Sequence, residues 1–391
     1  MKLFTKLFSG KEISGKAWVI SALAGIILVL VFIGAMNVYM DPFSYFRFRD
    51  GEFSEFQDAS DTYLRYIKAK QIQNAGDKYD AFIIGGSKSG ALRTETLKEC
   101  EGLTYYNCWI LSGNLREYYL YTKFILENTN AKKILLQISG PEVKRGNVAA
   151  FGDMYETPAV LTGDSETAEL FEFLGKNVKF AWGDLMKKIK GEKLITIPGI
   201  EDGVRNIKYY YKRIEKDPDE YAKTAVLHDY DTNLNKLFNV TPKNAERNNN
   251  LEYLKDIKKL CEDAGVELQV FIGASCINEL YEYEAKTYWS YLLQIVDIFG
   301  DVWDFSGYND VCMNPYNFYN ESHYKYEVGD LMIRTMTAGE QIVDGFGIHV
   351  TPDNRFDWLK ARRNAYNSYK KEYNNTGTID LSKYTYEDRI K

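Results

Sequence analysis

The segment Tyr79 to Arg93, YDAFIIGGSKSGALR, runs an apolar strand pattern straight into two glycines, a serine, a lysine and a second serine. A strand, a glycine-rich turn and a helix start can cradle phosphate, bind a dinucleotide or expose a nucleophile, and spacing separates the three. A phosphate-binding loop needs Gly-x-x-x-x-Gly-Lys-Ser/Thr, but here Ser87 precedes Lys88 and Phe82 stands where the first glycine belongs. A dinucleotide fingerprint needs Gly-x-Gly-x-x-Gly, whereas this turn offers Gly85, Gly86 and Gly90, with no acidic residue closing a second strand at the required distance. A nucleophile asks for a serine at the C-terminal end of a strand, small residues that permit a sharp turn, and amides facing the oxygen, and Ser87 meets these demands. The competing role is capping of the following helix by Ser87 or Ser89, the commonest work of serine at such a place.

A serine nucleophile needs a base, and the chain offers only His228, His323 and His349. His323 lies in NFYNESHYKYEVGD, after the last strand candidate and before a helix around Gly329–Met336. In a doubly wound sheet that loop folds back over the edge carrying the first turn, which selects His323. His228 falls in a segment without strand pattern and His349 in DGFGIHVTPDN, so both read as surface histidines.

Apolar strand candidates appear at Ala81–Ile84, Tyr105–Ile110, Lys133–Ile138, Glu267–Ile272 and Val302–Phe305, with helical patterns between most of them. The alternation predicts an α/β fold, a parallel sheet with helices on both faces. In the helix Leu251–Glu262, Leu251, Leu254, Ile257 and Cys261 share one face and Gly265 ends it. Residues Asp50 to Gly76 predict a helix leading into the first strand. Between Gly146 and Asn250 no buried strand run occurs, and we read residues 146–250 as a helical insertion, either a lid over the site or a peripheral subdomain. Residues 351–391 predict a C-terminal helix and a polar, flexible tail.

Ala17 to Met36 is an uninterrupted charge-free run about long enough to span the ~30 Å hydrocarbon core. Lys2, Lys6, Lys11 and Lys16 precede it and Asp41 follows, so the positive-inside rule predicts a single-pass anchor in the cell membrane, with residues 1–16 cytoplasmic and the domain from residue 37 extracytoplasmic. The rival is a cleaved signal peptide, for which GAMNVYMDP is a weak cleavage site. A net charge of −6 argues against a general nucleic-acid binder. Cys100, Cys108, Cys261, Cys276 and Cys312 show no zinc-like spacing, and no metal or cofactor is expected. The 31 tyrosines suit stacking on sugars, or reflect composition alone.

The Gly-x-Ser turn after the first strand, the glycine after the second in LSGNLREYY, and the late loop with histidine three residues after a polar partner together resemble the SGNH/GDSL hydrolase superfamily. More narrowly, the N-terminal anchor with MDPF, then GGSKS, DFSGYND and FYNESHY, resembles its membrane-anchored DltD-like and alginate-acetylation-like branch, over roughly residues 37–350. The resemblance implies a flavodoxin-like three-layer fold and esterase or acyltransferase chemistry on acetyl or D-alanyl groups of a cell-surface polysaccharide or teichoic acid. It also implies a multi-span membrane O-acyltransferase as partner. Ser87 would be the nucleophile and His323 the base, and the oxyanion would be held by the amides of Ser87 and Gly113, with Asn114 as a third donor. Gly113 could equally be a turn glycine at positive φ.

One departure stands out. The family carboxylate three residues before the histidine is here Asn320, which can orient an imidazole but cannot stabilise its cation. Asp304, Asp310 and Glu321 are the nearby carboxylates that could replace it. The family's asparagine after the third strand is also missing from LLQISGPEV. A non-catalytic glycan-binding or scaffolding relative in an envelope acylation complex is therefore the alternative function.

Overall fold

The computed structural model describes residues 14–41, 45–46, 64–139, 157–175, 178–192, 202–239, 251–282 and 286–391. The main helices are α1 (Gly15–Met40), α2 (Leu64–Ala75), α3 (Thr94–Glu101), α4 (Leu115–Asn128), α5 (Glu166–Gly175), α6 (Val178–Ile189), α7 (Lys208–Lys216), α8 (Tyr230–Asn239), α9 (Leu251–Ala264), α10 (Lys286–Phe299), α11 (Tyr326–Ala338) and α12 (Arg355–Thr376). The strands are β1 (Ala81–Gly86), β2 (Tyr105–Ile110), β3 (Lys133–Ile138), β4 (Glu267–Ile272), β5 (Val302–Asp304), β6 (Phe318–Asn320), β7 (His323–Tyr324) and β8 (Ile348–Val350).

Six strands form one sheet in the order β2-β1-β3-β4-β5-β8, parallel except for β8, which runs antiparallel to β5. Every residue of β1, β2 and β3 is buried. Such strands are apolar on both faces because helices cover both. In α9 the stripe Leu254, Ile257 and Cys261 is buried, and Gly265 takes φ 66° just past its end. The chain leaves β1 first toward β2 and later returns to β3 on the other side. The C-terminal ends of β1 and β3 therefore flank the crevice where strand order reverses, the usual ligand position in open α/β sheets.

The edge of β2 is not bare. Asn107 N–H donates to Asp202 O at 2.8 Å, and Lys68 of α2 donates to the carbonyls of Asn107 and Gly203 at 2.6 and 3.2 Å. Arg65, one turn earlier, is buried and pairs with Glu117 at 2.5 Å while donating to Leu111 O at 2.9 Å, both at the C-terminal edge of the sheet. Its neighbour Tyr66 stacks on Tyr45 at 4.1 Å, and Tyr45 stacks in turn on Phe173 of α5 at 4.1 Å.

Helix α1 is long and apolar enough to cross a membrane, and its side chains are exposed until Met36, Asn37 and Met40 become buried. Those last turns pack on α6 through Ala181, Val178 and Leu185, and Asn37 donates to Leu174 O at 2.8 Å. The described residues of the 146–250 insertion thus divide. Helices α5 and α6 hold the end of α1, whereas Ile207, Ile214, Tyr221, Leu234 and Phe238 join the main core.

The C-terminal residues differ from expectation. Ile379 is buried, Leu381, Tyr384, Tyr386 and Ile390 pack on the core, Ile390 N–H donates to Asn317, and Lys383 and Tyr384 donate to Asp310. The aromatic residues spaced through this polar stretch fasten it, so it is a packed arm and not a free tail. The helix leading into β1 begins, within the described residues, at Leu64.

Candidate active site

The turn after β1 is held from several sides. A Cβ on Gly85 would stand 2.8 Å from Ser89 Oγ and 3.0 Å from Gln137 Cβ, so no larger residue fits without displacement. Ser89, fully buried, donates its hydroxyl to Gly86 O at 2.8 Å. Asn107 Nδ2 donates to the carbonyls of Ser89 and Leu92 at 2.8 and 3.0 Å, and Arg205 N–H donates to Gly90 O at 2.9 Å. The structural hydroxyl of this turn therefore belongs to Ser89. Ser87, half-buried, makes no side-chain cap, and its Oγ lies 2.7 Å from Nε2 of His323.

His323 reaches that point from a two-stranded hairpin absent from the sequence reading. Strands β6 and β7 pair antiparallel with Asn320 opposite His323, which brings the two side chains together across the Glu321-Ser322 turn. Tyr324 OH donates to Gln137 Oε1 at 3.0 Å, tying the hairpin to β3. The Tyr319 ring stacks on the imidazole at 5.5 Å and 23°, while Tyr221 OH donates to Tyr319 O at 2.7 Å. The insertion therefore braces the hairpin that carries His323. Gln137, Tyr319 and Tyr324 were not foreseen as supports. Only the aromatic residues on either side of His323, in FYNESHY, hinted at them.

Asn320 Oδ1 lies 2.9 Å from His323 Nδ1 and also accepts the backbone N–H groups of Ser322 and His323, at 3.0 and 2.9 Å. Reversing the amide would set its NH2 against two backbone donors, so the oxygen is fixed toward the ring. Nδ1 then carries the proton, and the Nε2 lone pair faces the Ser87 hydroxyl. This tautomer can accept a proton from serine.

The expected oxyanion donors sit differently. Gly113 N–H donates to Ile110 O at 3.1 Å. It has no positive φ; Ser112, at φ 50°, takes the left-handed position, and Gly113 is small because a Cβ there would stand 2.8 Å from the Tyr118 ring. Asn114 is the N-cap of α4: its Oδ1 accepts from Glu117 N–H, and its Nδ2 and backbone N–H donate to Glu117 Oε2 at 3.0 and 3.2 Å. Asn-x-x-Glu is the signature of a capping box and could have been read from LSGNLREYY. The amides of Gly113 and Asn114 thus already have acceptors.

None of the three replacement carboxylates is bonded to His323. Asp304 accepts from Ser306, Trp358 and Arg362 in the interior. Asp310 holds the C-terminal arm, which keeps its carboxyl below the usual range through the Tyr384 and Lys383 donors. Glu321 is exposed at the tip of the hairpin. His349 stacks on Trp303 at the far edge of the sheet, and His228 pairs with Asp229 at the surface. Next to Ser87, Lys88 is buried in an ion pair with Glu279 at 2.5 Å.

Among the described residues, no three His, Cys, Asp or Glu side chains cluster as metal ligands, and all five cysteines are free thiols. Burial pushes the Cys108, Cys261 and Cys312 thiols up to about 12, so they are poor nucleophiles. A cleft of about 430 Å³ opens between Arg93, Asp202, Lys208, Tyr211 and Tyr326, without Ser87 or His323 in its wall. No family model matches the chain, and no curated protein matches it.

Proposed function

We propose that the chain is a membrane-anchored, extracytoplasmic serine esterase or O-acyltransferase of the SGNH type, with a flavodoxin-like sheet. Its substrates would be acetyl or D-alanyl esters of a cell-surface polysaccharide or teichoic acid. The observation that carries this reading is the linked line Ser87–His323–Asn320, with the imidazole tautomer fixed by the Asn320 oxygen. In this mechanism Nε2 takes the Ser87 proton as Oγ attacks the acyl carbonyl, then returns it to the leaving alcohol oxygen. The acyl-serine is next attacked by a sugar or polyol hydroxyl, or by water, which gives its proton to the same nitrogen; the acyl–Oγ bond then breaks, Oγ takes that proton back from Nε2, and the new ester or the free acid leaves. In the present conformation the Ser87 amide is our oxyanion donor, because Gly113 and Asn114 are already engaged. A multi-span membrane O-acyltransferase is the proposed partner, and α1 the proposed anchor. A reporter fused after Lys391 is expected to be active only outside the cytoplasm.

A serine-directed fluorophosphonate tests the reading. It should label Ser87 in the wild type, and Ser87→Ala and His323→Ala should each abolish labelling while remaining folded. A neutral Asn320 and the occupied amides of Gly113 and Asn114 favour the second reading, a glycan-binding relative without turnover. A wild type that binds glycan but resists labelling would replace the first reading with the second.

A further inference from the structure

We propose that α5 and α6 form a lipid-surface element, seated at the outer headgroup boundary beside the emerging α1. This rests on the reading of α1 as a membrane span. The charge-free run Ala17–Met36 is about 30 Å long as a helix, the thickness of a hydrocarbon core. Its side chains pass from exposed to protein-covered at Met36, and the covering elements are α5 and α6. The boundary between lipid and water therefore falls at these two helices.

Their outer surfaces suit that position. Beyond α1 and the adjoining Phe46, the large apolar side chains exposed among the described residues are Phe171, Phe180, Trp182 and Ile189 on α5 and α6, and Ile342 and Phe356 elsewhere. Phe171 and Ile189 are each 69% exposed, and Phe180 and Trp182 53% and 51%. Trp182 and Ile189, two turns apart, share one face of α6. Both stand directly beside the Val178–Ala181–Leu185 stripe that grips α1, so apolar groups border the contact with the span on that side, whereas Phe180 lies more than about 100° around the helix from the stripe. Lys179 and Lys188 are exposed along the same helix, and Lys190 just past its end. Lys188 donates to the hydroxyl of Tyr39, itself exposed near the end of α1, at 2.7 Å. Aromatic rings with lysines are the composition of helices that lie at the interface and meet lipid phosphates. Of the three acidic residues of α5, Glu166 pairs at the surface with Lys70, Glu169 accepts from Ala159 N–H, and Glu172 is exposed beside Phe171.

The test uses the full chain, with Cys100→Ser to silence the half-buried native thiol, in vesicles of phosphatidylcholine and phosphatidylglycerol. A fluorophore is placed on Trp182→Cys or Ile189→Cys, with Phe356→Cys as the water-side control and Leu28→Cys as the span control. Lipids carrying a nitroxide near the glycerol backbone should quench the first two about threefold or more over Phe356→Cys. Quenching no greater than at Phe356→Cys, with Leu28→Cys strongly quenched by a deep nitroxide, would overturn the proposal and leave the anchor standing. No quenching at Leu28→Cys would remove the anchor, and the proposal with it. Energy transfer between two labelled copies at Trp182→Cys without lipid quenching would assign the patch to a second copy and equally overturn it.

Discussion

Asn320 Oδ1 and His323 Nδ1 lie 2.9 Å apart across a two-residue turn, and the same oxygen holds that turn closed through two backbone donors. One amide thus orients both ring and hairpin, and a carboxylate of the same shape would keep every bond. Asn320→Asp is therefore expected to preserve the fold and raise turnover of an activated acetyl ester, by less than the ~10⁴ that the Asp-to-Asn exchange costs a serine protease, because that cost includes a wrong tautomer and here Oδ1 already fixes the right one. Asn320→Ala should lose both ring orientation and the turn. Steady-state kinetics of the three forms checks this. Equal rates for wild type and Asn320→Asp would show that an anion at this position has no role.

Ser87 and Ser89 should separate cleanly. Ser89→Ala leaves the buried Gly86 carbonyl without its hydroxyl donor, a loss of about 1–3 kcal/mol. It should lower the thermal midpoint while fluorophosphonate still labels Ser87. Ser87→Ala should do the reverse.

The Lys88–Glu279 pair is a buried charge pair next to Ser87. Lys88→Met removes the ammonium beside a buried carboxylate and should cost roughly 3–5 kcal/mol, whereas Lys88→Met with Glu279→Leu should recover most of it. Denaturant unfolding of the single and double variants measures the coupling.

Lys68 sets a pH dependence. Burial lowers its ammonium from the ordinary lysine value to about 7, with Cys108 and Asp202 near it. The unfolded chain binds the proton up to about pH 10 and the folded chain only below about 7, so this site's stability is full above pH ~10 and lost as pH falls toward 7. Wild type minus Lys68→Met stability should rise by on the order of 1 kcal/mol per pH unit between pH 7.5 and 9.5. A flat difference would show that Lys68 stays charged against its two carbonyls.

Strands β2, β3 and β4 were legible because their apolar runs are unbroken and bounded by polar or glycine residues. β1 continues two residues further, since Gly85 and Gly86 stay extended to bring Ser87 over the crevice. The β6–β7 hairpin was not legible: FYNESHY has no strand alternation, and its pairing depends on a side-chain oxygen closing the turn. Nor was β8, whose three residues pair antiparallel against Trp303 and its neighbours. The resemblance that made Gly113 an oxyanion donor overlooked Glu117, whose carboxylate caps α4 and binds Arg65. Local motifs state which residues can do chemistry; competition for their hydrogen bonds is decided by residues distant in the chain.

The ring stack Tyr45–Tyr66 joins the segment after α1 to the helix whose Arg65 grips the sheet edge that bears Ser87. For a chain held in a bilayer by α1, that stack replaces a slack leash by a bracket. A flexible leash dilutes the group it carries over a volume that grows with leash length, so effective concentration falls as roughly the −3/2 power of that length. A bracket instead confines Ser87 to a thin layer at one altitude. Polymers rooted in the same membrane would then meet it according to their number per unit area, largely independent of the volume of the surrounding compartment.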